Sequence, residues 1–198
     1  MKIPSVVMVG IWCLVFSVLA GVGCSSSPRP ESRKRTLAQA RQIALKMFKQ
    51  LDGFELLKQR EVGLAGRPAV RMEASWLHSG QVRRGIIYVV DHPALFNVIH
   101  FTSPDDPDIY DAGYSIFSKM MKSLRVVSHT GPMQVRELKS EKVLRSPDLQ
   151  LEIHYPSDWV YSLDEVNRAL VFSGPRSSST WLTTVSFSVI NKWEPQEN

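Results

Sequence analysis

The 198 residues carry 24 Lys and Arg against 19 Asp and Glu, a formal charge of +5, with 43% hydrophobic side chains and two cysteines. That length suits one domain of ordinary size with a real core and is cramped for two. The mild positive charge comes with no polybasic or RNA-binding signature, so nucleic acid is not expected as a partner.

Lys2 precedes an apolar stretch over residues 3–22 that ends in Gly21-Val22-Gly23-Cys24. The layout is that of an export signal over residues 1–23. Its last four residues resemble the lipobox of bacterial lipoproteins, where small residues admit the chain to the signal peptidase and the cysteine thiol takes a diacylglycerol. Gly21 stands where leucine is usual. The resemblance implies lipid attachment at Cys24, a lipid-anchored place in the cell envelope and, because Ser25 rather than Asp follows, the periplasmic face of the outer membrane in a Gram-negative host. The alternative is an uncleaved transmembrane helix, since about 20 apolar residues span a bilayer. Arg29, Arg33, Lys34 and Arg35 would then keep the domain in the cytoplasm. With Cys13 lost in the leader and Cys24 acylated, the mature domain has no free thiol and depends on packing for stability.

Residues 24–35 are rich in Ser, Pro and Arg and read as a tether. Its Arg33-Lys34-Arg35 run is either a solvated charge cluster or a contact for anionic head groups, at about 1 kcal/mol per charge. Thr36 then starts a helix with Gln39 placed for a capping box. Leu37, Ala40, Ile43, Ala44, Met47, Phe48 and Leu51 form its apolar stripe, Arg41, Lys46 and Lys49 its wet face, and Gly53 its end. Residues 54–103 read as a meander of strands, with turns at Ala65-Gly66, Ser79-Gly80 and His92-Pro93. The runs 85–90 and 94–101 are rich enough in Ile, Val, Tyr and Phe to be central strands.

A second helix opens with Asp106 as N-cap and Pro107 in its first turn. Ile109, Gly113, Ile116, Phe117, Met120, Met121 and Leu124 line its core side, and the methionine pair reads as packing. Residues 36–126 thus form a helix-strands-helix half-domain, and 127–148 a charged linker with room for a strand at 133–138. Residues 149–190 form a strand half-domain completing the same sheet, with strands at 149–155, 159–161, 169–173 and 180–190. Residues 191–198 are a polar tail. The fold class expected is α+β, an antiparallel sheet with two helices packed against it.

Ile153-His154-Tyr155-Pro156-Ser157-Asp158-Trp159, Val171-Phe172-Ser173-Gly174-Pro175 and Thr183-Thr184-Val185-Ser186-Phe187 resemble the opening three strands of PsbP-like domains. Residues 51–124, through Gly66-Arg67-Pro68-Ala69 to Phe117 and Ser123-Leu124, are similar to the later half of that domain. The family includes an extrinsic subunit of photosystem II and many bacterial relatives. Here its later half comes first, as a circular permutation or a truncated tandem would place it. The resemblance implies an α+β domain with a binding or assembly role rather than catalysis.

Motifs for chemistry are sparse. His78, His92, His100, His129 and His154 lack metal-ligand spacing. There is no Gly-x-Ser-x-Gly elbow and no phosphate-cradling glycine loop. Asp105, Asp106, Asp108 and Asp111 are a helix start before they are a cation site. Trp159, Tyr161 and Trp181 either rim a partner surface or pack in the core and at sheet edges. The expectation is a non-enzymatic lipoprotein, without cofactor, metal or catalytic residue, that meets the membrane through lipid on Cys24 and docks an envelope protein. A carrier or sensor of a small apolar ligand is the alternative, and a hydrolase the third reading.

Overall fold

The computed structural model describes residues 34–127, 131–164 and 169–193. The leader, Cys24, most of the tether and His129 lie outside the described residues. Four long strands follow the first helix: β1 (Glu55–Leu64), β2 (Arg67–His78), β3 (Gln81–Asp91) and β4 (Leu95–Pro104) form an antiparallel meander. Its first two turns are Ala65-Gly66 and Ser79-Gly80, each with positive φ at both residues, the geometry whose twist matches a two-residue hairpin.

The helices are α1 (Leu37–Phe48) and α2 (Pro107–Ser123). Beyond α2 come β5 (Arg125–Val126), β6 (Gln134–Glu137), β7 (Glu141–Ser146), β8 (Leu151–Pro156), β9 (Val160–Asp164), β10 (Ala169–Ser173) and β11 (Thr184–Asn191). One sheet has seven strands in the order β1-β2-β3-β4-β11-β10-β9, and a second has four in the order β5-β8-β7-β6. Every described pairing is antiparallel, so the protein is an α+β fold with sheet packed against two helices. The last strand runs along the fourth, from Thr184 opposite Thr102 to Asn191 opposite Leu95.

The two faces of the large sheet are covered differently. Alternation along β3 sends Ile87 and Val89 to one side and Ile86 and Val90 to the other. On the first side α1 lays Ala40, Ala44 and Leu45 on Val70, Met72, Ile87, Val89, Phe96 and Val98. On the second, α2 brings Phe117, Met120 and Met121 against Phe101 and Ile99, and the small sheet adds Leu144, Leu151, Ile153 and Tyr155. Gly85 is required by this packing, because a Cβ there would meet the Trp76 ring at 2.5 Å and the Phe101 carbonyl at 2.7 Å.

Several sequence expectations need correction. In the segment 127–148 the strand expected at 133–138 is present as β6, and a second, unexpected strand, β7, follows it, because the turn at 138–140 returns Val143 and Leu144 to the core. Strand β8 pairs with β5 and β7 rather than with the large sheet, and meets that sheet face to face, its Tyr155 ring 4.8 Å from Phe172 on β10. Helix α1 stops at Phe48, with Lys49 as C-cap, and Gly53 serves the following turn at φ 60°. Its buried stripe is rotated by a fraction of a turn, taking Leu45 inward and leaving Met47 exposed. The final strand starts at Thr184 rather than Thr180, because Thr180 packs on Gly174 and turns the chain. Of the expected tail 191–198, Asn191 ends β11 and Trp193 bridges to Lys34, and residues 194–198 lie outside the described residues.

Candidate functional site

The two ends of the large sheet are built from different chemistry. Edge strand β1 presents Lys58, Gln59, Arg60 and Glu61, and a bulge between Leu56 and Lys58 interrupts its register. Charge and a bulge are how proteins blunt an edge against pairing with another chain. Edge strand β9 reads Val160-Tyr161-Ser162-Leu163-Asp164 and has no basic residue. It forms because Tyr161 sits opposite Phe172 and Leu163 opposite Leu170 on β10. Val160 is 64% exposed and Leu163 48%, values that mark them as surface without cover.

A second free edge lies near the first. Among the described residues strand β6 pairs only with β7 and exposes Val135, with Met133 and Leu138 exposed at its two ends. Between the two edges sits Tyr155 of β8, whose ring centroid lies 4.8 Å from Phe172 and 6.3 Å from Tyr161. Burial pushes its hydroxyl above the usual tyrosine range, and the charges of Tyr161 on β9 and Glu137 on β6 add to the shift. The buried ring of Tyr155 therefore packs against the β9 edge through Tyr161, and β9 and β6 each carry apolar side chains open to solvent. Such an arrangement can accept an added strand by backbone hydrogen bonds, with flanking side chains setting preference.

The aromatic trio separates. Trp159 is buried in the core beneath β8 and β9, Tyr161 is half-exposed on the edge strand, and Trp181 is exposed on the loop entering β11. That loop is fixed by Ser178, which donates to the Pro175 carbonyl at 2.9 Å and shares a hydroxyl hydrogen bond with Thr180.

Asp106 accepts from the backbone N–H groups of Asp108 and Ile109 at 3.0 and 3.1 Å, as an N-cap does. Asp105 meets Arg84 at 3.5 Å, and the Arg84 guanidinium lies 4.7 Å from the Tyr110 ring centroid, so this group fastens α2 to β3. Nearby, Arg71 is paired with Glu73 and donates to the Tyr88 hydroxyl at 3.2 Å. Among the described residues, no three of His, Cys, Asp and Glu gather in a group that could hold a metal ion.

The histidines are likewise dispersed. His154 is 3.1 Å from Glu141, and His92 accepts at Nδ1 from the Ala94 N–H at 3.3 Å. His100 is the unusual one, buried under α1 with its ring 4.7 Å from Phe48 and 5.3 Å from Trp76. Its Nε2 has no hydrogen-bond partner, and burial lowers its pKa to about 4. Sequence reasoning did not find the two edges, because Val160 and Leu163 look like any half-buried strand until the strand order is known.

The two best-formed depressions among the described residues are open to solvent. One of about 420 Å³ runs beside α1 and is lined by Arg35, Gln39, Arg41 and Lys46, and one of about 430 Å³ lies by Val82, Asp105 and Leu182. No described helix is long and apolar enough to cross a membrane. No family model matches the chain, and neither a curated protein nor a solved structure matches it.

Proposed function

We propose that this chain is a non-enzymatic envelope lipoprotein, held by lipid on Cys24, whose PsbP-like domain docks an extended segment of a protein partner along the free edge of β9. The observation that carries the reading is the asymmetry of the large sheet, with a bulged edge bearing Lys58, Arg60 and Glu61 at β1 and an edge at β9 that has no basic residue and exposes Val160 and Leu163. The ladder from β4 to β11 supports a permuted order of halves over a truncated tandem. The interior between sheet and α2 is filled by side chains, with Phe101 and Phe117 stacked at 4.9 Å, which favours a surface role over enclosure of a small apolar ligand.

A photo-crosslinking amino acid placed at Leu163 or at Gln59 tests this in the native envelope. Position 163 should give one adduct of discrete mass, which Val160→Lys abolishes without changing the melting temperature, while position 59 gives none. Equal adducts from both edges, or none from position 163, would end the edge-docking reading.

A further inference from the structure

Positive charge in the mature chain is concentrated in one place. Residues 33–51 hold six Lys and Arg and no carboxylate, while the rest of the chain after residue 23 has 17 basic and 19 acidic side chains. The charge lies at α1 and the strand-like entry to it. Lys34, Lys46 and Lys49 are exposed and Arg41 half-exposed, and none of the four forms a salt bridge among the described residues. The buried Nε of Arg41 has no hydrogen-bond partner among the described residues. The stretch is flanked in sequence by the acids Glu31 and Asp52, and Asp91 is engaged by Lys192.

At the start of this basic face stands Trp193, 52% exposed, in an antiparallel bridge with Lys34. Arg35 clamps the same point, donating to the carbonyls of Asn191 at 2.8 Å and Trp193 at 3.1 Å. An exposed indole beside lysine and arginine is the combination that settles at a bilayer's headgroup level. Met47, 41% exposed, adds apolar surface at the other end of the helix.

We infer that the outer face of α1, with Trp193, docks flat on a bilayer surface carrying anionic phospholipid. The inference rests on the lipid anchor at Cys24, because the anchor supplies the proximity. Lys34 follows Cys24 by ten residues, a separation of at most about 35 Å extended and about 17 Å as a flexible coil. The start of α1 is therefore the part of the domain held nearest the membrane, at high effective concentration. Each cation within the surface potential raises partition about fivefold, within a screening length of about 8 Å at physiological salt. The carboxylates Glu194 and Glu197 follow Trp193 and oppose this, but they are outnumbered by the six cations. Docking this way turns the opposite face, with α2 and the small sheet, away from the bilayer.

The test uses the full chain in a Cys13→Ser background, with Met47→Cys carrying an environment-sensitive dye, reconstituted into zwitterionic vesicles with or without an anionic lipid. The dye should shift blue and be quenched by a bilayer-resident quencher only when anionic lipid is present, and high salt should reverse both effects. Arg41→Gln/Lys46→Gln/Lys49→Gln should lower the docked-to-free ratio about a hundredfold, and Trp193→Ala should lower it less. The same signal in both vesicle types, or no response to salt, overturns the proposal even if the triple variant misfolds. Lipid labelling of Cys24 separates the two readings. Labelled protein whose dye ignores anionic lipid sinks the docking face alone, whereas unlabelled protein whose dye still responds to it sinks the anchor and leaves the face.

Discussion

The two faces of the seven-stranded sheet are covered by chain of different origin. Among the described residues the α1 face is built mostly from residues 37–98, with Ile190 and Lys192, which lies over the Phe96 ring, as distant contributors. The α2 face interleaves both ends of the described chain, from Ala69 on β2 to Phe187 on β11, with Trp159 and Tyr155 between. One face can thus assemble from neighbouring elements, while the other needs contacts across more than a hundred residues. Contacts of that span cost loop-closure entropy before they return stability. The α2 face should therefore govern global cooperativity, and the α1 face should open locally.

The harshest way to break that comparison is to remove the distant contributors. A fragment ending at Ser128 keeps α1, its sheet face and α2, but loses Leu151, Ile153, Tyr155, Trp159, Leu170, Phe172, Val185 and Phe187. It also strips β4 of its partner along eight paired positions. Such a fragment should show no cooperative urea transition and should bind a hydrophobic dye. A sharp transition near that of the whole chain would mean that the α1 face suffices.

A smaller effect lies on the α1 face, at His100. Its pKa falls from 6.5 to about 4 on folding because burial disfavours the charged ring. Between those values the unfolded chain binds more protons than the folded one, so stability is full above pH 6.5 and declines as pH falls toward 4. The loss is roughly 3 kcal/mol. His100→Phe keeps a ring between Phe48 and Trp76 and should flatten that part of the stability profile, leaving the carboxylate contribution. An unchanged slope from pH 7 to 4 in urea melts would show that water reaches the site.

What the sequence revealed was local chemistry. Thr36 with Gln39, Asp106 with Pro107, and the Ala65-Gly66 and Ser79-Gly80 turns act over two to four residues, and the structure has them where the pattern places them. The edge at β9 was not legible, because a strand's exposure there depends on which strand fails to sit beside it. Leu151, Ile153 and Tyr155 alternate as they would in either sheet, so the alternation alone does not say that β8 joins the smaller one. Strand β6, exposed along its whole length, falls where a strand is expected, whereas β7 is not expected, because its two adjacent buried residues, Val143 and Leu144, break the alternation of a half-buried strand. In α1, Leu45 and Met47 are both apolar and two positions apart, and the sheet beneath selects the first.

The two helix caps give the finest test of how the faces differ. Thr36 closes a capping box with Gln39, accepting from its N–H at 3.3 Å while the Gln39 side chain accepts from the Thr36 N–H at 2.7 Å. Asp106 caps α2 through two N–H groups and adds a negative charge at the positive end of the helix. Removing either by Ala costs about 1 kcal/mol, with Asp106 at the upper end because its charge goes too. The costs should surface differently. Helix α1 rests on the sheet alone, whereas α2 is held on two sides, and Ser123 at its end accepts from the His154 N–H of β8 at 3.0 Å. Both variants should therefore lower the urea midpoint by the amount that about 1 kcal/mol sets, and they should differ in hydrogen exchange at low urea. Thr36→Ala should speed exchange of α1 amides about fivefold, the ratio that about 1 kcal/mol sets, through an opening that leaves α2 amides protected. Asp106→Ala should speed α2 amides only through global unfolding, because α2 cannot open without the α2 face. If α1 amides in Thr36→Ala also exchange only through global unfolding, then both faces belong to one cooperative unit and the distinction between local and distant assembly is lost.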